Sequence, residues 1–368
     1  GYKLEPITPT EVNLVLLVDE KGKLYVKEIN FEGNHAFSDK ELRNTMELKT
    51  KNLLSYFTGR GVIKQDILER DAEKISSYYF NHGYIKARVG EPKIETVAGG
   101  IYITFPIDEG PQYRVGKVNV RGDLLESEDE LRKQLGIAKE SIYSREVIQK
   151  DLTTLSDLYA DHGYANVDVT PSLKENDQDH TVDITFDIQK GEKVYIERID
   201  IAGNIKTRDK VIRREMRVYE QELFSATKIK KSTQNLRRLE FFEDVNISTS
   251  PGSTPDKMNL KVTVKERPTG QFGIGAGYST QDRIVGMVEI KQNNLFGRGQ
   301  QLSAQGVIGQ LARRYRVSFT EPYLFDRPLS LGIDAYNWER AFTEYNRLST
   351  GGSLRLGHPL RWEYTTLL

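Results

Sequence analysis

The chain has 368 residues, and its 53 Lys and Arg balance 53 Asp and Glu, so no global basic field argues for a nucleic-acid partner. Hydrophobic residues make up 38% and charged residues 29%, too polar for a helical membrane protein, and no apolar run approaches the roughly 18 residues a spanning helix needs. A β-barrel escapes that exclusion, because its strands face lipid only at every second residue, whereas the absence of cysteine removes disulfide frames and thiolate metal sites.

The N-terminus, GYKLEPITPTEVN, shows no signal-peptide pattern. Val12, Leu14, Leu16 and Val18 alternate like a closing strand, so residues 1–22 read as the end of a truncated repeat that begins upstream. Complete repeats follow. Val26 to Asn34 returns as Val115 to Asp123 and again as Val194 to Asn204, each an alternating strand ended by a turn at Gly33, Gly122 or Gly203. Ser38 with Glu41 and Ser127 with Glu130 have capping-box spacing, which starts a helix by pairing its free N–H groups reciprocally. The third copy offers Thr207 as a cap but has Lys210 at the box position.

A second helix repeats too. Leu68, Ala72, Ile75 and Tyr79 correspond to Ile148, Leu152, Leu155 and Tyr159, and then to Ile229, Thr233 and Leu236. They form one apolar stripe on an otherwise charged helix, the face that packs on a sheet. Two of these helices end in His-Gly-Tyr, at His82 and His162, with glycine suited to the left-handed position beyond a helix and a charged histidine favourable at the C-terminal dipole. Glu240 stands in for that glycine in the third copy, so its helix ends differently or carries strain. Two strands close each unit. The first is short: Ile85 to Val89, Ala165 to Val169, Val245 to Ser248. The second alternates strongly: Ile101, Ile103, Phe105 and Ile107; Val182, Ile184, Phe186 and Ile188; Met258 to Val264. The unit is β-α-α-β-β, at 23–110, 111–190 and 191–267, and the extra length of the first copy lies around Asn52 to Lys64.

From Gly270 helical periodicity disappears. Candidate strands are Gln271 to Ser279, Arg283 to Gln292, Gln301 to Gln310, Tyr315 to Pro322, Leu329 to Glu339, Leu348 to Gly357 and one from Trp362, each about long enough to cross a bilayer when tilted. Tyr323, Phe325, Tyr336, Trp338, Phe342 and Tyr345 fall near strand ends, as an interfacial aromatic girdle would. Asn293 to Gly299 and Phe325 to Pro328 read as turns. Seven strands leave sheet edges that hydrocarbon does not tolerate, so residues 268–368 are the first strands of an incomplete barrel and the chain is expected to be cut at both ends. The fold class is tandem α+β repeats followed by the N-terminal part of an antiparallel transmembrane β-barrel.

This organisation resembles the superfamily that joins periplasmic POTRA repeats to an outer-membrane β-barrel, and within it the outer-membrane protein assembly factors. The resemblance covers nearly the whole chain. It rests on Arg213-Arg214-Glu215-Met216-Arg217, Val264 to Gly270, Gly273 to Tyr278, Asn294 to Gly297 and Thr320 to Tyr323; Glu240 departs from it, since related last repeats usually place glycine there. It implies a protein of the Gram-negative outer membrane whose repeats receive unfolded outer-membrane proteins without ATP. Accessory lipoproteins and outer-membrane lipid are the further partners implied, with no cofactor and no metal.

Three candidate sites follow. The first strands of the closing pairs, at Ile85, Ala87, Val89, Ala165, Val167, Val169, Val245 and Ile247, are sheet edges that an extended client peptide can join, unless the neighbouring repeat covers them. Arg213, Arg214, Glu215 and Arg217 read as a solvated face of the last repeat's first helix, which the resemblance makes a docking place for lipoproteins. Phe272, Gly273, Ile274, Gly275, Ala276, Gly277 and Tyr278 form the first barrel strand. Its glycines pack little and weaken pairing, and the resemblance makes it one side of a lateral gate; glycines that only fit a crowded lumen are the alternative. Gly273-x-Gly275-x-Gly277 has the wrong spacing and no following helix for a nucleotide, Arg121-Gly122-Asp123 is the repeat turn, and the five histidines show no metal spacing. No catalytic arrangement emerges, so an enzyme is not expected. The rivals are a secretion or translocation pore of the same superfamily and a structural or adhesive surface protein.

Overall fold

The most strongly alternating strand of each repeat lies in the middle of its sheet, which is why its inward side chains vanish from solvent. In the computed structural model, which describes residues 2–8, 11–16, 25–50, 65–97, 100–280, 282–361 and 364–367, the chain forms two compact units, 1–156 with 168–189 and 157–167 with 190–368. Val18, the extra segment at 52–64 and Trp362 lie outside the described residues.

In the first unit β1 (Tyr2–Thr8) pairs antiparallel with β2 (Glu11–Leu16). The first repeat comprises β3 (Val26–Glu32), α1 (Asp39–Thr45), α2 (Gln65–Asn81), β4 (Arg88–Val89), β5 (Lys93–Val97) and β6 (Gly100–Asp108). Central β6 is parallel to β3 and antiparallel to β4 and β5. The second repeat comprises β7 (Arg114–Gly122), α3 (Glu128–Gln134), α4 (Arg145–Asp161), β8 (Asp168–Asn176) and β9 (Thr181–Gln189), in the order β7-β9-β8. Ile103, Phe105, Ile184 and Phe186 are fully buried, as is Tyr79 from the helical stripe.

Both capping boxes form: Ser38 and Ser127 accept from the N–H groups of Glu41 and Glu130, whose carboxylates accept in return. Those hydrogen bonds from the serines hold both carboxyls below the usual range. The turn glycines have φ of +90° at Gly33, +96° at Gly122 and +88° at Gly203. A Cβ there would also overlap the carbonyl oxygen of Ile107, Ile188 or Val264, so conformation and close approach both require glycine.

Sequence periodicity does not reveal Asp71, fully buried on α2, which accepts from the N–H groups of Glu47 (2.6 Å) and Leu48 (2.8 Å). Asp151 on α4 does the same for Gly136 (2.7 Å) and Ile137 (2.8 Å). In the third repeat Ser232 takes the position and accepts one N–H, from Arg217, at 2.8 Å. Each holds the connection between the two helices, where backbone donors would otherwise be buried without partners.

The short closing strands differ from expectation. Ile85, Ala87, Ala165 and Val167 lie in turns beyond α2 and α4, because Ala87 N–H donates to Tyr84 O and Val167 N–H to Tyr164 O, drawing the backbone into the helix exit. The strands begin at Arg88 and Asp168, and β8 extends to nine residues.

The second unit begins with the end of α4 and continues through β10 (Tyr195–Ala202), α5 (Asp209–Arg213), α6 (Ala226–Arg238), β11 (Phe242–Pro251) and β12 (Lys257–Glu266), in the order β10-β12-β11. Glu240, beyond α6, has φ of +59°, the strain expected where a glycine is missing. Arg267-Pro268-Thr269 then leads into an antiparallel meander of β13 (Gly270–Ser279), β14 (Arg283–Leu295), β15 (Gln300–Gly309), β16 (Ala312–Glu321), β17 (Ser330–Ala341), β18 (Asn346–Arg361) and β19 (Tyr364–Leu367). β14 therefore takes in Asn293 to Leu295, leaving residues 296–299 as the turn.

Successive repeats are joined by repeated devices. Within the first unit, Tyr113 N–H donates to Gly83 O at 2.8 Å, and the Asn81 side chain accepts from Glu146 N–H at 2.9 Å, at the start of α4. Within the second, Val194 N–H donates to Gly163 O at 2.8 Å, and Asp161 accepts from Thr227 N–H at 2.9 Å, at the start of α6. Burial pushes the Asp161 carboxyl up, but hydrogen bonds from Thr227 and Ser225 outweigh it and hold it below the usual range.

Candidate functional site

The seven-stranded sheet has two chemically distinct faces, because side chains directly opposite in an antiparallel ladder share a face. The register aligns Phe272, Ile290, Ala304, Val317 and Ala335 in one apolar row. On the other face it aligns Gly273, Glu289, Gln305, Arg316 and Tyr336. One side suits hydrocarbon and the other an aqueous lumen. Tyr336 and Trp338 therefore stand on the polar face, their rings 4.7 Å apart and Arg316 over Trp338. They are not part of an outward girdle, since Leu331, Ile333 and Ala335 occupy the outward positions of β17.

β13 pairs with β14 alone and is a terminal strand among the described residues. Phe272, Ile274 and Tyr278 are 68%, 74% and 75% exposed on its apolar face, and its glycines alternate with them. The candidate gate residues thus lie together on one sheet edge. Of the candidate client-binding residues, Val89 lies on β4, Val169 on β8, and Val245 and Ile247 on β11. β8 and β11 end their sheets among the described residues.

The junction between the last repeat and the strand array was only partly legible. β12 ends at Glu266, whose carboxylate accepts from Lys206 N–H (2.9 Å) and Thr207 N–H (2.6 Å). Burial pushes this carboxyl up, but the hydrogen bonds prevail and hold it below the usual range. Thr207 is not the helix cap. Arg208 occupies that position without a side-chain cap bond, while Thr207 Oγ1 accepts from Asn294 Nδ2 at 2.8 Å. Asn294 Oδ1 accepts in turn from Gly299 N–H at 2.8 Å, and Arg208 N–H donates to Gly297 O at 2.9 Å. A Cβ on Gly297 would strike the Lys206 carbonyl, and one on Gly299 the Arg214 guanidinium. The Asn-Leu-Phe-Gly segment is thus shaped to seat the β14–β15 turn at the start of α5.

The β16–β17 turn reaches the same helix and the residues just beyond it. Lys210 Nζ lies 2.7 Å from Asp326 Oδ1, Tyr323 donates its hydroxyl to Glu215 Oε1 at 3.1 Å, and the Arg214 guanidinium sits 4.0 Å from the Tyr323 ring centroid. Burial raises the Glu215 carboxyl and lowers the Arg214 guanidinium. Burial and the Glu215 carboxylate push Tyr323 up to about 12. The expected solvated helix face is therefore revised: α5 stops at Arg213, and Arg214 and Glu215 turn towards a hairpin of their own chain. Arg213, the exposed member of the four, donates to Ile199 O. Among the described residues no group of three or more His, Cys, Asp or Glu could hold a metal ion, and no helix is long and apolar enough to cross a membrane.

A family model for POTRA, the surface antigen variable number repeat, matches residues 24–110, 113–191 and 194–267, and one for the Omp85 superfamily domain matches 294–368. The chain is 37% identical to the outer membrane protein assembly factor BamA of Nitratidesulfovibrio vulgaris, over 96% of this chain and 45% of that protein. To the factor of the same name from Neisseria meningitidis it is 29% identical, over 97% of this chain and 46% of that one. It thus spans about half the length of these curated relatives. The crystal structure of BamA from Haemophilus ducreyi lacking POTRA domains 1–3 is similar with a TM-score of 0.60 and 27% identity, over 68% of this chain and 48% of that one. That of Haemophilus influenzae BamA POTRA3-5 shares the fold with a TM-score of 0.56 and 23% identity, over 66% of this chain and 96% of that one.

Proposed function

The chain belongs to the POTRA family, and from that membership we propose that the protein containing it assembles and inserts β-barrel proteins into the outer membrane of a Gram-negative bacterium. The repeats lie in the periplasm and the strand array in the membrane. The observation that carries this reading is the 37% identity to an outer membrane protein assembly factor across both the repeats and the strands. The edges of β8 and β11 take up unfolded clients by strand addition, which needs backbone pairing and little sequence readout. β13 is one side of a lateral gate: its three glycines weaken the ladder. Accessory lipoproteins dock at the last repeat on the side where Arg213 is exposed.

The test is insertion by the full-length protein in phospholipid vesicles, with an unfolded barrel client and no nucleotide. The client is expected to fold faster than in empty vesicles, with slowed amide exchange on β8 and β11 while it is bound. Unaltered client folding overturns the insertase reading, and unaltered exchange overturns capture at those edges. A passenger that appears inside the vesicles without becoming membrane-embedded favours the secretion pore.

A further inference from the structure

Strand direction places the β14–β15 and β16–β17 turns at the same end of the sheet as Gly270, beside the last repeat. These turns leave large apolar side chains bare: Phe296 is 77% exposed and Phe325 83%. Ile205, next to the Lys206 whose carbonyl abuts Gly297, is 90% exposed. The phenylalanines also have left-handed backbones, with φ of +53° and +58°. A bulky side chain holds that conformation only where its surroundings impose it, and here the hydrogen bonds and the Lys210–Asp326 pair at α5 do so. Around the three stand Lys206, Arg208, Arg298 and Arg327, all exposed, and none of their side chains makes an ion pair among the described residues.

We propose that Ile205, Phe296 and Phe325, with these four cations, form an anionic-phospholipid docking patch, by which the last repeat rests on the membrane surface nearest it. Exposed aromatic and aliphatic groups interleaved with Lys and Arg fit the headgroup boundary of an anionic leaflet. The patch lies at the end of the sheet where the strands leave hydrocarbon. A protein partner would also cover apolar groups, but the position at the boundary of the membrane-spanning strands, beside four cations that make no ion pair among the described residues, favours lipid. The corresponding positions are His35 in the first repeat and Leu124, half-buried, in the second, so among the described residues a fully bared aliphatic group at this turn belongs to the last repeat. The inference rests on reading the strand array as membrane-spanning, and the test separates the two.

The chain contains no cysteine, so single labels can be placed cleanly in the full-length protein by Ile205→Cys, Phe296→Cys, Phe325→Cys, His35→Cys and Val288→Cys. The probe is a fluorophore in vesicles of phosphatidylethanolamine and phosphatidylglycerol, quenched by nitroxide lipids labelled at the headgroup or along the chain. Headgroup nitroxides are expected to quench positions 205, 296 and 325 several-fold more than position 35, and chain nitroxides to quench position 288. Replacing the four cations by Gln should lower quenching at 205 and 296, as should omitting phosphatidylglycerol. Quenching at 288 with none above the His35 level at the other sites overturns the patch. Shielding of those sites from aqueous iodide without lipid quenching shows a protein contact instead and also overturns it. No quenching at 288 refutes the membrane-spanning reading itself.

Discussion

The joint between repeats and the joint that ends the array connect the same fold by different groups. Between repeats, backbone meets backbone: Gly83 O accepts from Tyr113 N–H, and Gly163 O from Val194 N–H. A short polar side chain, Asn81 or Asp161, then caps the next long helix. At the last repeat the corresponding carbonyl, on Glu240, accepts from the Arg267 side chain at 2.6 Å. The remaining contacts are one backbone bond, from Arg208 N–H to Gly297 O, a Thr-Asn pair, the Lys210–Asp326 pair, the Tyr323–Glu215 hydrogen bond and an arginine stacked on a tyrosine. Backbone joints let one repeat follow another with little dependence on sequence. A joint made largely of side chains fits one hairpin pair only, which is what the proposed passage of a client from the repeats to the strand array would need.

The largest effect is expected inside a repeat. Asp151→Ala strands two buried N–H groups and should cost about 3 kcal/mol, whereas Ser232→Ala in the last repeat removes one acceptor and should cost about 1 kcal/mol. Urea unfolding measures both, and equal costs would break the distinction between the early repeats and the last. At the terminal joint, Tyr323→Ala removes the ring from Arg214 and the hydroxyl from Glu215, an expected loss of about 2 kcal/mol. Tyr323→Phe keeps the ring and should lose about half of that. Amide exchange over 208–217 reads the loosening, and identical behaviour of the two variants would show that the stacking contributes nothing.

The repeat joint is expected to respond less. Asp161→Ala should cost about 1 kcal/mol through the lost acceptor for Thr227 N–H and the Ser225 hydroxyl at the start of α6, while Asp161→Asn should be nearly neutral, because Asn81 performs the same role one repeat earlier. The smallest effect is in pH dependence, and its two contributions oppose each other. Glu266 is held below its ordinary 4.5, so its contribution is present above that value and lost as pH falls through the lowered one. Glu215 is raised above 4.5, so its contribution is lost as pH rises from 4.5 through the raised value. Melting temperature against pH should therefore lose part of its acid slope in Glu266→Gln and part of its decline above 4.5 in Glu215→Gln.

Much of the fold is written in local pattern. Three turn glycines, two capping boxes and the alternation of the central strands identify the repeat, because each is a short-range device with one structural solution. Asp71 and Asp151 escaped notice because a single acid on a charged helix looks like any solvated residue, and only tertiary packing buries it. The starts of β8 and of the first repeat's closing strands were misplaced, since turns at the helix exit contain the same Ala, Val and Ile that strands do. The charged run at Arg213 to Arg217 suggested a solvated helix, but the partner that covers Arg214 and Glu215 is a tyrosine over 100 residues away in sequence. The two signals could have been joined only through the resemblance, which singled out both segments without saying that they touch.

The central proposal is that β13 pairs with a client strand while the last repeat, three residues away, holds the strand array at α5. Site-specific photocrosslinkers at Phe272, Ile274 and Tyr278 in the full-length protein, during insertion of a barrel client, test it most directly. The account predicts crosslinks to a client strand at these positions and none at Ala304 or Val317 in the middle of the sheet. Crosslinks absent from β13, or equally frequent along the interior strands, would contradict it.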